Sequence, residues 1–103
     1  RQAAPAKDTS ATASDWEEKK KRRNRLAMLP KRRDQLLAEI DAAEARRKAI
    51  EDLYCEPGFF ERTAKDEVDA LEAEKVALGP KIDALVAEWE SVERELAELE
   101  ADA

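Results

Sequence analysis

In the second half of the chain, apolar residues recur at alternating steps of three and four: Val68, Leu71, Leu78, Ile82, Leu85, Trp89, Val92, Leu96 and Leu99, with Lys75 as one charged interruption. That heptad spacing predicts a helix over about 64–100 with a narrow apolar seam, and such a seam needs a partner helix. A second stripe supplies one. Leu29, Arg33, Leu36, Ile40, Ala43, Arg47, Ile50 and Tyr54 follow the same alternation, widened by Leu37 and Leu53, and predict a helix over about 31–54. Between the two, Glu56-Pro57-Gly58 joins a helix breaker to a residue that tolerates positive φ, so residues 55–63 form a tip. The fold class expected is all-α, an antiparallel two-helix coiled-coil hairpin with a basic N-terminal helical arm. Folding about the tip pairs Ile50 with Val68, Ala43 with Lys75, Ile40 with Leu78, Leu36 with Ile82 and Leu29 with Trp89. Trp89 then covers Leu29 at the open end as a lock.

The tip carries the only two phenylalanines, Phe59 and Phe60. They form either a cap over Tyr54, Leu53 and Val68 or an exposed recognition element. Thr63 or Glu61 starts the returning helix, with Asp66 and Glu67 as capping-box acids. Arg47 and Lys75 are expected to lay their stems across the seam and keep their charges in water.

Two prolines punctuate the pattern. Pro30 is expected in the first turn of a new helix or at a kink, and Gly79-Pro80 is expected to bend the second arm or start a fresh turn in it. Residues 1–14 mix small polar residues, Ala and Pro without periodicity and read as a flexible linker. Ser14 or Asp15 can cap a helix, so a basic arm spans about 16–29 and the hairpin domain about 15–101. A chain that opens on Arg1 is expected to be a piece of a longer protein.

Composition agrees with long exposed helices. Charged residues make up 43% of the 103 positions, and two Gly and two Phe leave little material for a round core. The net charge is −6, but its distribution along the chain changes the picture. Between Trp16 and Arg33, nine basic side chains face only Glu17 and Glu18, whereas between Ala64 and Glu100 four cations face twelve carboxylates.

Catalysis is not expected. There is no histidine, no glycine-rich phosphate loop and no pair of carboxylates with a reason to be buried, so this chain is read as no enzyme, with no metal ligands and no cofactor of its own. Cys55 is alone, which rules out an internal disulfide and fits a reducing, cytoplasmic setting. No apolar run approaches the roughly 20 residues of a membrane span, so no membrane partner is expected.

The basic run is the chemically pointed feature. Lys19, Lys20, Lys21, Arg22, Arg23, Arg25, Lys31, Arg32 and Arg33 place many cations on a narrow arm, and each one that neutralises a phosphate releases counterions. With Asn24 as the nearby amide and Trp16 as a stackable ring, backbone contact is expected rather than base reading. The partner expected is therefore nucleic acid, DNA or ribosomal or transfer RNA, bound by a monomer. The competing reading pairs the arm with the acidic returning helix or leaves it solvated. In that case the chain is a structural or oligomerising coiled coil, or a protein-docking arm, without nucleic-acid affinity.

The ensemble resembles a known family. Leu29-Pro30 opening a helix, two coiled-coil arms joined by a short aromatic tip, Glu88-Trp89-Glu90 followed by Val92-Glu93, and an Ala- and Ser-rich linker with basic residues in front look like the C-terminal domain of ABC-F ATPases. The resemblance implies an antiparallel coiled coil appended to two soluble ATP-binding cassettes, acting on ribosomes or DNA. It implies that Lys19 to Arg25 and Lys31 to Arg33 contact phosphate while the hairpin serves as a rigid arm. The ATPase cassettes would be partners within the same parent chain, and ATP hydrolysis would belong to them.

Overall fold

The structure, a computed structural model, describes the backbone of residues 3–102 and the side chains of residues 13–102. The chain is an all-α hairpin. Helix α1 (Ala3–Tyr54) runs the length of the molecule, a single turn α2 (Phe59–Arg62) forms the tip, and α3 (Lys65–Ala101) returns antiparallel along α1. The result is a rod of 88 × 23 × 15 Å.

The core is one seam of side chains between α1 and α3. Nearer the tip, Ala43, Ile50, Leu78 and Ile82 are buried together, flanked by Tyr54, Leu71 and Val86. Toward the open end, Leu36, Val92 and Leu96 form a second cluster with Leu26, Leu29, Leu85 and Trp89. Both stripes read from the sequence meet, but in a different register. Leu36, expected opposite Ile82, sits instead with Leu85, Trp89 and Val92, while Ile82 sits with Ala43 and Ile50. The displacement is about one helical turn. A heptad seam looks nearly the same after such a slip, so side-chain volume and the flanking ion pairs select among registers. Trp89 does join Leu29, yet it is only half-buried and does not sit at the open end, because the pairing continues past it to Arg22 and Leu99.

Ion pairs flank the seam. Arg46 donates to both carboxylate oxygens of Glu74, at 2.5 and 2.9 Å. That fork holds the Glu74 carboxyl below its ordinary range and raises the Arg46 guanidinium. The Tyr54 hydroxyl donates to Glu72 at 2.9 Å; burial first, then this bond to a carboxylate, push its ionisation upward. Lys75 is half-buried in the seam with its ammonium 5.5 Å from the centre of the Tyr54 ring.

Neither proline ends a helix. Pro30 lies inside α1 and Pro80 inside α3. Each ring removes one backbone donor, which costs local stability. Packing on both sides of Pro30 offsets that loss: Leu26 and Leu29 precede it, Leu36 follows it, and all three contact the same cluster. The basic helical arm expected over about 16–29 and the helix expected over about 31–54 are therefore one continuous helix, which begins at Ala3. From Ala3 it also occupies the described part of the segment read as a linker, including Ser14 and Asp15, which cap nothing. Ala3, Ala4, Ala6, Ala11 and Ala13 are strong helix formers, and Pro5 falls in the first turn, where its missing N–H has no intrahelical partner anyway. Residues 1 and 2 of that segment lie outside the described residues.

The tip turns on Gly58, whose φ of 76° is left-handed. A Cβ there would meet Arg62 Nη1 at 3.7 Å and Glu61 Oε2 at 3.9 Å, ordinary contacts, so the requirement for glycine is conformational. Gly58→Ala is expected to destabilise the hairpin by about 1–2 kcal/mol, and Gly58→Asn by less, as read from thermal melting. Arg62 staples the turn by donating to the Pro57 carbonyl and to Glu56, both at 2.8 Å. Phe59 is buried and caps the seam, with its ring 5.9 Å from Tyr54 and edge-on to Phe60 at 5.1 Å; Phe60 itself is exposed. The returning helix starts at neither Thr63 nor Glu61. Its N-cap is Ala64, which has no capping side chain, and the Ala64 carbonyl accepts from Glu67 and Val68.

Candidate nucleic-acid interface

The nine cations read from the sequence as one site are placed in two groups. Four arginines turn toward α3. Arg22 donates to the Leu99 carbonyl at 3.1 Å, Arg25 pairs with Glu95, Arg32 donates twice to Glu88 Oε2 at 2.9 and 2.6 Å, and Arg33 lies 3.7 Å from Glu93 and 3.3 Å from Asp34. These groups are at least partly committed to holding the open end of the hairpin. Leu99 belongs to the last turn of α3, and α3 has no basic residue of its own in that turn. Arg22 thus acts as a C-terminal cap supplied by the other helix, at the negative end of the α3 dipole.

The other five cations are exposed. Lys19, Lys20, Lys21, Arg23 and Lys31 have no carboxylate partner among the described residues. The helical period explains the division. Arg22, Leu26, Leu29 and Arg33 repeat at steps of four and three on the α3 side, whereas Trp16, Lys20, Arg23, Ala27 and Lys31 repeat on the opposite side. Lys19 and Lys21 lie off that stripe: Lys19 stands three residues before Arg22 in the inner repeat, and Lys21 borders a groove with Leu99 and Asp102. The outer stripe covers about 22 Å along the helix axis.

The acids of the arm lie mainly on the inner side. Asp15, Glu18, Lys19 and Arg22 line one shallow groove, and Glu18, Lys21, Arg22 and Arg25 line another together with Leu99 and Asp102 at the end of α3. Their carboxylates therefore face the Arg22 side. The outer stripe presents Lys20, Arg23 and Lys31, with Asn24 and the exposed Glu17 beside it.

Position along the rod matters as much as face. Because Glu18 and Arg22 sit against Leu99 and Asp102, α3 ends there, and among the described residues α1 continues toward its N-terminus without a partner helix. Residues 13–20 are accordingly all exposed. Trp16, 57% exposed, lies on this solitary stretch, and the Lys20 ammonium stands 5.3 Å from the centre of its ring. The grouping of Trp16 with Lys20 is legible in the i, i+4 spacing. The capping of Leu99 by Arg22 has no signal in the sequence, since it depends on where α3 stops relative to α1.

No protein-family model matches the chain, and searches of curated proteins and solved structures returned no match. Among the described residues, no helix is long and apolar enough to cross a membrane.

Proposed function

We propose that this chain is a non-catalytic nucleic-acid-binding hairpin, in which the outer face of α1 contacts phosphates without reading sequence. The observation that carries the reading is that Lys20, Arg23 and Lys31 stand exposed on the outer stripe, away from the carboxylates of α3 that occupy the inner arginines, with Lys19 and Lys21 exposed at its N-terminal end. In a chain of net charge −6, such a concentrated positive face binds a polyanion only locally. The α1–α3 rod orients the arm, and its acidic α3 is repelled from the polyanion, so the arm meets phosphate with its outer face. The short motifs that resemble the appended domain of ABC-F ATPases point the same way, with the hairpin as a monomeric arm carried by ATP-binding cassettes.

Fluorescence anisotropy of labelled duplex DNA, single-stranded DNA and structured RNA, titrated with the chain at rising salt, tests the proposal. We expect binding at low salt whose log affinity falls linearly with log salt. Absence of binding to all three at low salt, or binding indifferent to salt, overturns it. A concentration-dependent dimer without nucleic-acid affinity supports the oligomerising coiled coil instead.

A further inference from the structure

Resting on that reading and sharpening it, we infer that the arm recognises single-stranded nucleic acid, with Trp16 as the platform on which an unpaired base stacks. Trp16 is more than half exposed on the part of α1 that extends past the end of α3, so no part of the returning helix covers it. The Lys20 ammonium stands over one face of the ring, 5.3 Å from its centre, and with the residue more than half exposed a base can stack on the indole beside this mobile side chain or in its place. A base stacks on such a surface whatever its identity, because every base has a π-face.

The neighbouring charges fit a strand threaded along the arm. Lys20 and Arg23 lie about 6 and 10 Å further along the helix axis on the same side as Trp16, where they can neutralise the phosphates that flank a stacked base. In a duplex each base is already stacked on both sides, so the ring gains nothing there and only the cations contribute. The stretch is a poor match for an anionic lipid surface. An interfacial helix needs a wide apolar face, and along the outer stripe only Trp16 and Ala27 are apolar between residues 16 and 31.

The test compares Trp16→Leu with the unaltered chain on a 20-nucleotide oligo(dT) and on a duplex of the same length. Circular dichroism verifies that the helices persist, as expected for a residue outside the packed seam. The substitution should weaken oligo(dT) binding roughly 5- to 150-fold and leave duplex affinity and the salt slope unchanged. In a Trp89→Phe background, where Trp16 is the sole tryptophan, oligo(dT) should quench the emission and duplex should not. Equal binding of both forms, unmoved by Trp16→Leu and without quenching, overturns the single-strand inference and leaves the phosphate-binding reading standing. Binding to neither form overturns both. A blue shift on phosphatidylglycerol vesicles without quenching by oligo(dT) assigns Trp16 to a membrane surface and likewise overturns the inference.

Discussion

Replacing Lys19, Lys20, Lys21, Arg23 and Lys31 together by glutamine is expected to weaken binding to duplex DNA by roughly 100-fold or more at low salt. Each phosphate contact contributes about 0.9 to the slope of log affinity against log salt, so removing five should flatten that slope by up to about 4.5. Melting should barely change, because none of the five holds α3. The complementary change, at Arg22, Arg25, Arg32 and Arg33, should do the reverse. It removes the Leu99 cap and the pairs to Glu95, Glu88 and Glu93, and so loosens the open end of the hairpin while leaving most of the salt dependence intact. Anisotropy titrations across a salt series, with melting followed by circular dichroism, separate the two outcomes. If the inner set alone controls binding, the outer stripe is not the interface.

Leu36→Ala is the substitution expected to cost the most stability, about 2–5 kcal/mol. Leu36 is 0% exposed and sits where α1 meets Leu85, Trp89, Val92 and Leu96, so truncation leaves a void between two helices that share one narrow seam. For a small domain each kcal/mol moves the midpoint by about 4–8 °C, so the loss should be plain in thermal melting. Leu37→Ala provides the contrast. Its side chain is 39% exposed, and its removal should shift the midpoint only slightly. Equal effects at the two positions would mean that α1 presents a different face to α3.

Leu36 and Leu37 also show how far the pattern of the chain could be read. The three-and-four spacing reveals that residues near 36 and residues near 85 belong to facing stripes, because helical periodicity is local physics. Which residue of one stripe meets which of the other is not local. A seam displaced by one turn still offers leucine to leucine, and the choice among registers rests on volumes and on pairs such as Arg46–Glu74 and Arg32–Glu88. The prolines teach a similar lesson. Pro30 and Pro80 carry a real backbone cost, yet the helices pass through them because contacts on both sides outweigh one lost hydrogen bond.

The candidate site divides along the same line. A concentration of nine cations between residues 19 and 33 is evident from the sequence, as is the turn at Pro57-Gly58 that makes a hairpin possible. Those features depend on residue type and spacing alone, and they determine an all-α hairpin with a basic arm. Only the tertiary structure decided which cations face α3 and which face outward, that α3 ends beside Arg22, and that Trp16 lies beyond it. Each of these depends on the relative placement of two helices, set by contacts between residues far apart in the chain, such as Leu36 with Val92 and Arg22 with Leu99, and no local periodicity encodes that pairing.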